Sequence, residues 1–136
     1  MTTSTAAKGR TQPRTDVILI GLGQHPGGEN LAHQLHALGM GLKTAGSPDA
    51  LPELLSGGRR AAVVVYSPRE SARAGAVLEK LQERLRQPPV IVLVDEADFS
   101  EYYELMARGA SDYYEMSEGI ERIARAVQRA ARARAS

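Results

Sequence analysis

The sequence has no cysteine and no tryptophan, only one phenylalanine, and no long apolar run. Without cysteine there is no disulfide framework, no thiolate nucleophile and no cysteine-based metal site, and nothing demands an oxidising compartment. No stretch approaches the roughly 20 apolar residues that span a bilayer. An excess of one charge is missing too: 17 Lys and Arg stand against 16 Asp and Glu, for a formal net charge of +1. No whole-molecule field therefore draws nucleic acid or an anionic membrane surface, and any basic patch must be local. With aromatics at 4%, core packing falls mainly to Leu, Val, Ile and Ala.

The 136 residues fit one domain, since single domains most often run to about 100–150 residues. Residues 1–15 (MTTSTAAKGRTQPRT) are polar and lack the apolar h-region of a secretory signal, so a disordered tail is expected there. The domain is expected over residues 16–136, in the cytoplasm.

Asp16–Leu22 (DVILIGL) is a short apolar run closed by glycine, the pattern of a strand buried on both faces. It recurs at Ala61–Tyr66 (AAVVVY) and Val90–Val94 (VIVLV), and two weaker strands are expected at Gly41–Ala45 and Ser111–Tyr114. Helical patterns alternate with them. Gly28–Leu38 places Leu31, Leu35 and Leu38 at i, i+4 and i+7 before Gly39. A short helix is expected at Leu51–Ser56, bounded by Pro48, Pro52 and Gly57-Gly58. Glu70–Gln87 carries Val77, Leu78, Leu81 and Leu85 on one face. Ser100 is the expected N-cap of a helix to Arg108, ended by Gly109, and Ser117 opens the last, with Ile120, Ile123 and Val127 as its buried stripe.

Alternating strands and helices with short connections imply right-handed crossovers and a parallel sheet covered on both faces. The expected fold is a flavodoxin-like (βα)5 three-layer α/β sandwich with a five-stranded sheet in the order 2-1-3-4-5. Functional residues in such folds gather at the carboxyl ends of the strands. Here those ends are Leu22–His25, Tyr66–Arg69 and Val94–Ala97.

The second half is more specific. Pro88–Leu93 (PPVIVL) followed by Phe99–Met116 (FSEYYELMARGASDYYEM) resembles the receiver domain of two-component response regulators, with its Gly-Ala-x-x-Tyr turn before the fifth strand. The resemblance covers about Asp16 to Arg132 and is only architectural before Ser67. It implies a site that binds Mg²⁺ through acids after the first strand and phosphorylates an aspartate at the end of the third. At the acidic positions this chain has Gly21, Leu22 and Gly23, and the acceptor position falls on Tyr66, or on Ser67 if the alignment slips by one. The phosphoryl-sensing Thr/Ser corresponds to Val94 and the lysine to Met116. Every charged member of the constellation is replaced, so the resemblance is to the degenerate, pseudo-receiver type, without cofactor or metal. Asp95 and Glu96 are the acids nearest the pocket and read as two solvated loop carboxylates. Tyr113 keeps the position of the aromatic residue that moves during receiver switching.

Other chemistries compete for the same loop. Ile20–Gly28 (IGLGQHPGG) lies between a strand and a helix, as a dinucleotide site would, but its spacing is G-x-G-x-x-x-G-G and Thr44-Ala45-Gly46 supplies no acid for a ribose. His25, Gly27 and Gly28 preserve the His-x-x-Gly of a cobalamin loop, and Ser67 falls where that family has a serine. The orienting aspartate is Gly23, however, and the expected glycine pair is Val94-Asp95. A flexible loop with a simple histidine is the better reading, and a small-ligand sensor built on Gly21–Gly28 is the alternative function. His33 and His36 share a helix face without a third ligand and read as solvated.

On the last helix Arg122, Arg125, Arg129 and Arg132 recur at spacings of three and four, opposite the apolar stripe. A solvated face explains much of this. With Tyr102, Tyr103, Tyr113 and Tyr114 they also make a candidate protein-binding surface, since Tyr and Arg are enriched at hot spots. In receivers the face formed by the fourth helix, fifth strand and fifth helix is the usual dimerisation and output surface. The expectation is therefore a signalling module, not an enzyme, that binds a protein partner or itself. No helix-turn-helix or aromatic platform supports direct nucleic-acid binding, and no nucleophile has a base and an orienting partner.

Overall fold

A computed structural model describes residues 16–56, 61–69, 71–84 and 86–135. The expected tail, the Gly57-Gly58 helix stop, Glu70 and Leu85 lie outside the described residues. Five strands, β1 (Asp16–Ile20), β2 (Gly41–Ala45), β3 (Ala61–Tyr66), β4 (Val90–Val94) and β5 (Asp112–Glu115), form one sheet in the order β2-β1-β3-β4-β5, and every pairing is parallel. The helices between them are α1 (Gly28–Ala37), α2 (Leu51–Leu54), α3 (Arg73–Leu81), α4 (Phe99–Ala107) and α5 (Ile120–Ala135). This is the expected flavodoxin-like sandwich.

The apolar runs are continuous because both sheet faces are covered. Successive strand residues point to opposite faces. Ile18, Ile20, Val63, Val65, Val90 and Val92 pack with Leu51, Val77, Leu78, Leu81 and Leu105 of α2, α3 and α4. Val17, Leu19, Val64, Ile91 and Leu93 pack with Leu31 and Leu35 of α1 and with Ile123 and Val127 of α5. Each such side chain contributes about 1.5–3 kcal/mol when fully removed from water.

Several boundaries differ from expectation, each for a local reason. β1 stops at Ile20 because Gly21 takes φ +77°, and Leu22–Gln24 form a 3₁₀ turn. α3 starts at Arg73 rather than Glu70: the Ser71 hydroxyl accepts from Arg73 N–H at 3.3 Å, and the Ser67 hydroxyl from Ala74 N–H at 3.2 Å. The cap of α4 is Asp98, not Ser100, its carboxylate accepting from Glu101 N–H at 3.0 Å. Ser117 does not open α5. Glu115 and Glu118 close a capping box over the 3₁₀ turn Met116–Glu118, and α5 begins after Gly119.

Candidate functional site

The carboxyl ends of β1, β3 and β4 converge on one edge of the sheet, and what meets there is a set of side chains already engaged with one another. Tyr66, the last residue of β3, is 5% exposed and donates its hydroxyl to the Asp95 carboxylate, with oxygens at 2.7 and 2.8 Å. Burial first, and the bond to Asp95 second, push its phenol up to about 12. His25 packs edge-on against the Tyr66 ring, centroids 5.0 Å apart. Its Nδ1 accepts from Gly27 N–H at 2.8 Å, which leaves the ring proton of the neutral imidazole on Nε2, 3.5 Å from an Asp95 oxygen. Neither Asp95 nor His25 is therefore the simple solvated loop residue expected from the sequence. Folding brings both to the same phenol.

A second group lies beside the first. The Arg73 guanidinium donates from Nη1 to the Tyr66 carbonyl at 2.8 Å and from Nη2 to Gln24 Oε1 at 2.8 Å. It lies so close to Gly21 that a Cβ there would come within 2.2 Å of Nη1. The φ of +77° favours glycine at position 21, and its missing side chain leaves room for the Arg73 guanidinium. Arg73 escaped the sequence reading. The only signal was a lone arginine in the first turn of a helix facing a glycine-rich loop.

The other residues at these positions have structural tasks. Ser67, 2% exposed, bonds Ala74 N–H and lies 3.2 Å from the Ser71 hydroxyl. Val94 and Met116 are buried, and Met116 packs with the α1 and α5 layer. Leu22 is buried, while Gly23 is exposed with nothing within 4 Å of a Cβ. At Gly28 a Cβ would lie 1.9 Å from the Leu22 carbonyl oxygen, so close packing of α1 on the 3₁₀ turn accounts for that glycine. A cleft of about 600 Å³ does run along Gly21–Gly28 and Thr44–Gly46, but Glu29 lines it and opposes a phosphate. Glu96 pairs with Arg69 at 3.3 Å, both highly exposed, a pairing of small energetic weight.

The fit to Mg²⁺ is poor. A hard divalent ion takes several oxygen ligands. Around this site Gly21, Leu22 and Gly23 bring no carboxylate, Asp95 is engaged by Tyr66, and a guanidinium lies against Gly21. Among the described residues no three or more His, Cys, Asp or Glu are placed to hold a metal ion, His33 and His36 included.

The face formed by α4, β5 and α5 is different in kind. Alternation along β5 sends Tyr113 to the α4 side and Tyr114 to the α5 side. Tyr113 is only 9% exposed: its hydroxyl donates to Glu101 at 2.7 Å and accepts from Asp98 N–H at 3.1 Å. Burial, then the Glu101 bond, raise its phenol to about 12. It is a core residue, not a surface contact as expected, because α4 covers that side of the strand. Tyr114 and Tyr102 are half-buried, and the Tyr114 phenol is raised by burial and by its bond to Asp112 at 2.8 Å. Tyr103 is the exposed tyrosine, at 66%, stacked 6.0 Å from Phe99, which is 79% exposed. Phe99 was missed, although its i, i+4 spacing to Tyr103 was legible. Arg122, Arg125 and Arg129 are all exposed on α5, as expected.

No protein-family model and no curated protein sequence matches the chain. Solved structures do. The FixJ-N structure superposes with TM-score 0.72 at 24% identity, covering 89% of this chain and 95% of that one. A response regulator receiver protein from Pseudoalteromonas atlantica gives 0.70 at 18%, covering 85% and 95%. An orphan response regulator of H. pylori gives 0.68 at 19%, covering 88% and 98%. The fold is therefore that of response-regulator receiver domains, with the strand order 2-1-3-4-5. Among the described residues no helix is long and apolar enough to cross a membrane.

Proposed function

We propose that the chain is a phosphorylation-independent, pseudo-receiver signalling module, serving signal transduction or transcriptional regulation through protein contact at its α4–β5–α5 face. One observation carries this reading. The acceptor position falls on Tyr66, or on Ser67 if the alignment slips by one; the Tyr66 hydroxyl is committed to Asp95 and its carbonyl to Arg73, and the Ser67 hydroxyl bonds the Ala74 amide. Neither Tyr66 nor Ser67 offers a carboxylate to form an acyl phosphate. Exposed groups of the types that bind proteins lie instead on Phe99, Tyr103, Arg122, Arg125 and Arg129. The fold supports a signalling role by analogy, while the site argument rests on these residues.

Adding beryllofluoride and Mg²⁺, or acetyl phosphate and Mg²⁺, is expected to leave the amide NMR spectrum unchanged. Shifts centred on Tyr66, Asp95 and Tyr113 would overturn the reading. Cobalamins and nucleotides are expected to give no thermal shift. A clear stabilisation by either would move the function to the Gly21–Gly28 loop.

A further inference from the structure

We propose that the strand ends form a self-supplied clasp, with Arg73 as its cation and Asp95 as its anion, that holds the domain in one conformation without any ligand. Two bridges make it. Arg73 reaches from the first turn of α3 to the Tyr66 carbonyl on β3 and to Gln24 in the turn after β1. Asp95, just beyond β4, takes the Tyr66 hydroxyl and faces His25, whose other nitrogen holds the Gly27 amide at the entry to α1. Tyr66 belongs to both bridges. Loops that follow three different strands are thereby tied through one residue.

The chemistry suits a permanent tie. A guanidinium stays charged at any accessible pH and presents donors in a planar fork, so Arg73 can hold two acceptors at once without an ion from solution. The Arg73 guanidinium also lies over Gly21, where a Cβ would come within 2.2 Å of Nη1, so the glycine leaves room for it. No buried side-chain nitrogen or oxygen among the described residues is left without a hydrogen-bond partner. The inference concerns conformation and holds whichever partner the α4–β5–α5 face takes.

Relaxation-dispersion NMR and amide exchange on the full chain test it. Wild type is expected to show flat dispersion profiles on the μs–ms timescale over Gly21–Gly27 and Asp95–Asp98. Arg73→Ala should introduce dispersion in Gly21–Gln24 and speed exchange of the Gly21 amide, which bonds Ala45 O, by about tenfold or more. Arg73→Lys keeps the charge and loses the fork, and should fail to restore the wild-type rates. Tyr66→Phe removes one oxygen from a buried ring and leaves the packing intact. It should loosen Gly27 and Asp95–Asp98 by about threefold or more while Val64 and Leu93 keep their wild-type rates. Three results would overturn the proposal: dispersion in the wild-type loops, Arg73→Ala loops as quiet as wild type, or acceleration spread equally to Val64 and Leu93. Because partner binding enters none of these readings, a failed clasp and a failed binding face are told apart.

Discussion

Tyr66 and Tyr103 carry the same side chain to opposite ends. Tyr66 sits at the end of a central strand, 5% exposed, its hydroxyl on Asp95, whereas Tyr103 lies on the outer side of α4, 66% exposed and stacked on Phe99. The charges divide in the same way. Arg73 is bonded to a carbonyl and an amide oxygen within the strand-end cluster, while Arg122, Arg125 and Arg129 project from α5 into solvent. At the strand ends polar groups satisfy one another. On α4 and α5 the Phe99 and Tyr103 rings and the Arg122, Arg125 and Arg129 cations are exposed instead, and Tyr and Arg are residue types enriched at binding hot spots.

The contrast can be broken most severely through the strand that supports both regions. Leu93→Ala on β4 removes a fully buried side chain beside Tyr66 and α5, and should cost about 2–5 kcal/mol in urea denaturation. Alkali comes next. Tyr66 and Tyr113 have phenols raised to about 12, against an unfolded value of about 10. The folded state holds these protons more tightly, so the stability they contribute is complete below pH of about 10 and is lost as pH climbs through about 12. The loss is on the order of 2 kcal/mol per phenol and should flatten by one phenol in Tyr66→Phe, read from urea midpoints across that window.

Gly28→Ala drives a Cβ against the Leu22 carbonyl and should cost about 1–3 kcal/mol in thermal unfolding, whatever the loop binds. Tyr66→Phe at neutral pH removes one half-buried hydrogen bond, for about 1–1.5 kcal/mol. The smallest effect per residue belongs to the exposed face. Reversing the charge of Arg122, Arg125 and Arg129 together should leave stability within about 0.5 kcal/mol per residue while abolishing partner or self-association in sedimentation. Association that survives the reversal would erase the functional difference between the two regions.

The elements were largely legible because each core strand is a dense run of Val, Ile and Leu that no exposed segment tolerates. Val90–Val94 was readable to the residue. The errors fall at ends, where one hydrogen bond decides. Asp98 and Ser100 are both good caps, and only the carboxylate reaches Glu101 N–H. On the site, the sequence shows uncharged Gly21, Leu22, Gly23, Tyr66, Val94 and Met116 at the positions the receiver resemblance picks out. What gathers at the strand ends was not legible. Arg73 and Asp95 lie far from Gly21 and His25 in sequence and meet them only across the sheet edge.

By itself the sequence determined the layering of this protein and the absence of acids from Gly21–Gly23, because burial of apolar runs and the identity of single side chains are local properties. Tertiary structure alone decided the rest. It turned Tyr113 inward and left Tyr103 outside, since strand parity and the cover of α4 set exposure. It also brought Arg73, Tyr66, Asp95 and His25 into one cluster, because parallel crossovers place the ends of β1, β3 and β4 on the same edge of the sheet.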